Sequence, residues 1–69
     1  MKHIGEAIRE ERRKKKLSAA EVGRKLSKPI TGQAFAQKEV SGNFLWEIVL
    51  EVSLILNVEP QIFLIYRKV

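Results

Sequence analysis

Gln33 and Gln37 stand four residues apart in the segment Thr31-Gly32-Gln33-Ala34-Phe35-Ala36-Gln37-Lys38. On a helix that spacing puts both on one face. Each glutamine amide presents a donor and an acceptor side by side, the arrangement that pairs bidentately with the edge of an adenine. Thr31 and Ser18 each stand where a helix can begin, and a hydroxyl there, with the free amides behind it, suits a phosphate oxygen. Arg24, Lys25, Lys28 and Lys38 add positive charge around them. The chemistry this set could perform is recognition of a base-bearing polyanion.

Bond-making chemistry has little to work with. The chain has no aspartate and no cysteine. Its one histidine, His3, lies at a terminus expected to be mobile. Glu10 and Glu11 are adjacent, so on a helix they point in different directions and cannot flank a substrate. No glycine-rich phosphate loop is present and no cluster has metal-ligand spacing. These observations predict a protein that is not an enzyme and has no metal, no cofactor and no small-molecule substrate.

The elements that must position these residues are short helices. Ile4, Ala7 and Ile8 make one apolar stripe ahead of a dense charge run, predicting a first helix over about 4–15 that Leu17 closes. Ser18 and Glu21 have the capping-box spacing, which starts a second helix over about 19–27 carrying Val22 and Leu26. Lys28-Pro29 should end it near Ser27, because the residue before a proline avoids helical geometry. Thr31 is an N-cap candidate for a third helix over about 32–40, with Ile30 and Phe35 at staple positions. Ser41-Gly42-Asn43 breaks the chain, and a fourth helix, apolar almost all round, is expected over about 45–56 with Asn57 as its left-handed cap. Pro60 suits the first turn of a fifth helix over about 60–66, before an Arg67-Lys68 tail. There is no repeat, linker or strand pattern, so residues 1–69 read as one compact all-α domain of five helices.

Length and charge bound the rest. A chain of 69 residues buries only about 60% of the surface its unfolded form exposes, leaving little room for a deep cleft. The net charge is +5, unevenly spread: residues 1–38 hold eleven Lys and Arg against four Glu, and residues 39–69 hold two against four. A basic half joined to a mildly acidic, apolar half predicts one face toward a polyanion and another that packs or dimerises. Glu47 and Glu51 interrupt the most apolar segment, which is shorter than the roughly 20 residues of a membrane span. With no signal-like N-terminus and no cysteine, the expectation is a cytoplasmic protein without membrane contact.

A capped second helix, a turn and a short polar third helix form the order in which one helix braces the DNA backbone and the next enters the major groove. From Ile4 to Leu64 the chain resembles the Cro/repressor-type (XRE, lambda-repressor-like) helix-turn-helix family. The residues carrying the resemblance are Ile8-Arg9-Glu10, Arg12, Leu17-Ser18, Glu21-Val22, Leu26, Thr31, Gln33, Phe35, Gln37, Glu39 and Asn57-Val58-Glu59-Pro60. It implies a transcriptional regulator that binds double-stranded DNA, with Gln33 and Gln37 at positions that often contact bases. It also implies an ion pair between Arg12 in the first helix and Glu39 late in the third.

The chain departs from the family at several positions. Ala19 replaces a common glutamine that reaches phosphate, Gly32 and Ala34 are too short to read bases well, and Gly23 stands where alanine is usual. Glu11 and Lys38 replace apolar residues, and Lys28-Pro29 lengthens the turn by about two residues. These departures keep a second function open: a protein-interaction module on the same scaffold, with weak or no specific DNA binding.

Trp46, Val49, Val52 and Leu56 make a core stripe along the fourth helix. Ile48, Leu54, Ile55, Leu64 and Ile65 are apolar as well, and one small core cannot bury them all. Together they predict a partner surface, with a second copy of the chain as the partner, since twofold dimers are the commonest assembly.

Overall fold

Three of the helices begin on a side chain that accepts from a free helical amide. In the computed structural model, which describes residues 3–66, His3 Nδ1 accepts from the Gly5 N–H at 3.0 Å and starts α1 (Ile4–Lys14). His3 is therefore a cap and not a loose terminal residue. Ser18 Oγ accepts from the Glu21 N–H at 3.1 Å, while the Glu21 carboxylate accepts from the Ser18 N–H at 3.0 Å. This closed box starts α2 (Ala19–Lys25). The backbone and hydroxyl bonds from Ser18 hold the Glu21 carboxyl below its ordinary pKa. Thr31 Oγ1 accepts from the Ala34 N–H at 3.1 Å and starts α3 (Gly32–Ser41). α4 (Trp46–Leu56) begins after Leu45, which offers no side-chain cap. A 3-10 helix (Pro60–Tyr66) follows, and the Arg67-Lys68 tail lies outside the described residues.

Left-handed residues end three helices. At Lys16 (φ 59°) the chain turns so that the Leu17 N–H reaches Arg12 O at 3.1 Å and the Lys16 N–H reaches Arg13 O at 3.0 Å. Asn57 (φ 57°) ends α4 with the same pair of bonds, Val58 N–H to Ser53 O and Asn57 N–H to Leu54 O. Gly42 (φ 74°) ends α3 with one bond to Lys38 O at 2.8 Å. Such bonds satisfy carbonyls that have no partner inside the helix.

α2 stops two residues short of the end expected at Ser27. Leu26 turns extended (ψ 153°) and drops its side chain into the core. The carbonyl that a continuing helix would offer to Ser27, Gly23 O, accepts instead from the Ile30 N–H at 3.1 Å. The last element is wound tighter than an α-helix, so residues three apart line up along it. Pro60, Phe63 and Tyr66 share one face, on which Phe63 is fully buried and Tyr66 packs against the core.

The core gathers Ala7 and Ile8 from α1, Val22 and Leu26, Phe35 from α3, Val49, Val52 and Leu56 from α4, and Phe63. Phe44 meets Phe35 edge to face with ring centroids 5.7 Å apart. Trp46 is partly buried at the margin of this cluster. α2 and α3 pack most extensively on each other, α1 lies across α3, and α4 packs on the 3-10 helix. The domain is all-helical, measures 28 × 22 × 21 Å, and has no strand among its described residues. No helix among them is long and apolar enough to cross a membrane.

Lys16 adopts a conformation that only glycine enters without a steric penalty, so Lys16→Gly should stabilise the fold by about 1 kcal/mol. In a domain of this size that is a rise in Tm of about 4–8 °C in a thermal melt. An unchanged or lower Tm would mean that this turn carries no strain.

Candidate nucleic-acid interface

The orientation of α3 is set by a buried charge. Glu39 has no exposed side-chain surface. Its Oε2 accepts from Arg12 Nε at 2.7 Å and its Oε1 accepts from Arg12 Nη2 at 3.0 Å, a bidentate pair between α1 and α3. Arg9 Nε approaches Oε1 from the next turn of α1 at 3.4 Å. Arg12 also donates from Nη1 to Leu17 O at 2.9 Å, which ties the same guanidinium to the turn that ends α1. The bond to Glu39 raises the Arg12 pKa above its ordinary value, against the opposing effect of burial. Among the described residues no buried side-chain nitrogen or oxygen lacks a hydrogen-bond partner.

With Phe35 and Glu39 directed inward, helical geometry turns Gln33 and Gln37 outward, and both are exposed. Val40, seven residues beyond Gln33, continues that stripe at 68% exposure. The bidentate pair between Arg12 and Glu39, 27 residues apart in the chain, is thus what fixes which face of α3 meets solvent. Lys38 sits half-buried on the flank of the helix, while Arg24, Lys25 and Lys28 are exposed on α2 and the following turn. The hydroxyls of Ser18 and Thr31 are used as cap acceptors; that of Ser18 also bonds the Glu21 carboxylate, which leaves the Thr31 O–H to be donated outward.

Two glycines bring α2 and α3 together. A Cβ on Gly32 would meet the Ala20 backbone nitrogen at 2.9 Å and its Cα at 3.0 Å. The start of α3 therefore rests directly on the first turn of α2, and the missing side chain at Gly32 serves contact between helices. A Cβ on Gly23 would lie 2.5 Å from Ile30 O, so the turn can pass over α2 only at a glycine. The first turns of the two helices, each with its cap, therefore lie together, with Gln33 exposed on the second.

Three contributors were not legible as such in the sequence. Arg9 joins Arg12 on Glu39, and its spacing of three from Arg12 was the available signal. Val40 could have been found from its spacing to Gln33 and Gln37. Glu51 of α4 accepts from the Ser27 N–H at 2.8 Å and from the Ser27 hydroxyl at 2.9 Å. No local pattern announces a contact between residues 24 apart, beyond the oddity of a carboxylate in an apolar helix.

The expected partner surface is revised. Ile48 and Ile55 are partly buried and pack against the core, because α4 is covered on more than one side. The apolar residues left in solvent are Leu54 (80% exposed), Ile65 (82%), Leu64, Ile62 and Leu50, with Leu45 and Val40 nearer the opposite end of α4. Glu11, half-buried, accepts from Lys14 Nζ at 3.2 Å. Among the described residues no three metal-capable side chains stand together.

Arg12→Ala should cost about 3–5 kcal/mol, because it leaves Glu39 buried without its bidentate partner. Arg9→Ala, which removes a longer contact from an arginine that keeps 31% side-chain exposure, should cost under about 1 kcal/mol. Chemical denaturation of the two variants checks the ranking, and equal small losses would contradict it.

Comparison with known protein families, with curated proteins and with solved structures found nothing that this chain matches.

Proposed function

We propose that this domain binds double-stranded DNA by placing α3 in the major groove, in the manner of Cro/repressor-type helix-turn-helix proteins, and that it regulates transcription as a homodimer. The observation that carries this reading is the outward stripe of α3. Two glutamines able to pair with adenine stand exposed four residues apart, on a helix whose opposite face is locked by Glu39. A ten-residue helix is about 15 Å long, and the major groove is about 12 Å wide, so the first two turns can reach base edges.

Thr31, at the start of α3, has a hydroxyl proton to give to a phosphate oxygen, and Ser18, whose hydroxyl would exchange its bond to Glu21 for one to phosphate, starts the helix beside it. Arg24, Lys25, Lys28 and Lys38 supply attraction to the backbone that is independent of sequence. Exposed Val40 offers an apolar contact of the kind that packs on a thymine methyl group.

The homodimer is favoured by a second observation. Leu54, Leu64 and Ile65 lie on two elements that pack together, α4 and the 3-10 helix, and all three are exposed, Leu54 and Ile65 almost fully. Exposed apolar area of this kind marks an association surface. Two bodies with a longest dimension of 28 Å, joined through one face, can hold their α3 helices about 34 Å apart, the spacing of successive major grooves on one side of a duplex.

Binding to a randomised duplex pool, titrated with salt and followed by sequencing of the retained fraction, tests the reading. Affinity should fall with a slope of about −0.9 in log K per phosphate neutralised, and a twofold-symmetric motif should be enriched. Replacing both Gln33 and Gln37 by alanine should erase most of that enrichment while affinity for random DNA changes little. Equal losses on both would remove the glutamines from base recognition, and no binding at low salt would favour the protein-interaction module instead. For the assembly, Leu54→Glu should convert the dimer to a monomer in sedimentation equilibrium, and an unchanged mass would reject the surface on α4.

A further inference from the structure

α2 and α3 are joined by residues 26–31, a longer link than the three or four residues of a tight helix-turn-helix turn. A longer link has more ways to run, so something must choose among them. Leu26 anchors its first residue in the core, and the Ile30 N–H on Gly23 O anchors its end. Between these points Pro29 has no amide to donate. The remaining tether comes from outside the two helices: Glu51 of α4 accepts from both the N–H and the hydroxyl of Ser27, at 2.8 and 2.9 Å.

We propose that Glu51 is a positioning residue for α3: by holding Ser27 it sets the path of the turn and hence the angle at which the exposed glutamines are presented. Both carboxylate oxygens are used on one residue, so the bond fixes direction as well as distance, and bonds to a charged acceptor are stronger than neutral ones. Glu51 directly follows Leu50, and Leu54 lies one helical turn beyond. Glu51 and Leu54, three residues apart on α4, are therefore neighbours on its surface, and docking at the exposed apolar residues beside the tether bears on the angle of α3. This inference rests on the DNA-binding reading for its consequence, but its structural half can be measured without DNA.

The experiment compares wild-type protein with Glu51→Gln, which keeps one acceptor, Ser27→Ala, which keeps only the backbone donor, and Ser27→Thr, which restores the hydroxyl. Amide hydrogen exchange is followed residue by residue, and each protein is run through selection on the randomised duplex pool. In Glu51→Gln and Ser27→Ala, exchange at Ile30, which makes no bond to Glu51, should quicken about tenfold, while amides inside α1 and α4 keep their protection. Discrimination between the enriched motif and random DNA should fall about tenfold, the worth of roughly one bidentate base contact, with random-sequence affinity unchanged. Ser27→Thr should behave as wild type. Unchanged Ile30 exchange in both variants would overturn the positioning role, and so would faster exchange spread evenly over all helices. Faster Ile30 exchange in a protein that binds no DNA at low salt would support the tether and reject the DNA-binding reading.

Discussion

Burial of the Glu39 carboxylate is the constraint on which the rest of the structure depends. A lone charge of this kind in a small core would cost several kcal/mol, and it is tolerable only because Arg12 meets it bidentately and Arg9 adds a third contact. The pair contributes less as net stability than as a fixed alignment. It permits one rotation of α3 about its axis, the one that puts Phe35 and Glu39 inside and Gln33 and Gln37 outside. The same guanidinium holds Leu17 O, so the end of α1, the entry to α2 and the tail of α3 are set by one side chain.

Small size explains the other half of the molecule. Among the described residues nine buried apolar side chains make the core, and α4 with the 3-10 helix supplies more apolar surface than that core can cover. Leu54 and Ile65 remain in water on elements already packed to each other. A basic, polar face around α3 and an apolar face on α4 thus arise from the same sequence asymmetry, eleven cations in the first 38 residues and two in the rest. Glu51 lies between these faces and contacts the turn that leads to α3.

What could be seen in the sequence was whatever depends on neighbours in the chain. The Ser18 and Glu21 box and the Thr31 cap involve residues three apart, and the structure forms them as the spacing required. The all-helical fold followed from apolar periodicity, and the left-handed turn at Asn57 from its side-chain type. Long-range contacts were less accessible. The Arg12 and Glu39 pair was expected only through family resemblance, since two charges 27 residues apart have no local signature. The early end of α2 was hidden because the partners taken there are not those of a continuing helix: Gly23 O accepts from Ile30 and the Ser27 amide goes to Glu51, 24 residues on. Lys16 was equally hidden, since a lysine gives no sign that it will take a left-handed conformation normally left to glycine. The division of α4 into covered Ile48 and Ile55 and exposed Leu54 required knowing what packs beside it.

The most direct test of the central claim, that the outward face of α3 and the edge beside it meet duplex DNA, is an NMR titration of the domain with a duplex of about 20 base pairs, two half-sites one turn apart. Entry of α3 into the groove should shift the side-chain amides of Gln33 and Gln37 and the backbone amides of residues 18–20 and 31–33, with α1 resonances near Arg12 undisturbed. Shifts confined to α4 and the 3-10 helix, or none at low salt, would contradict it.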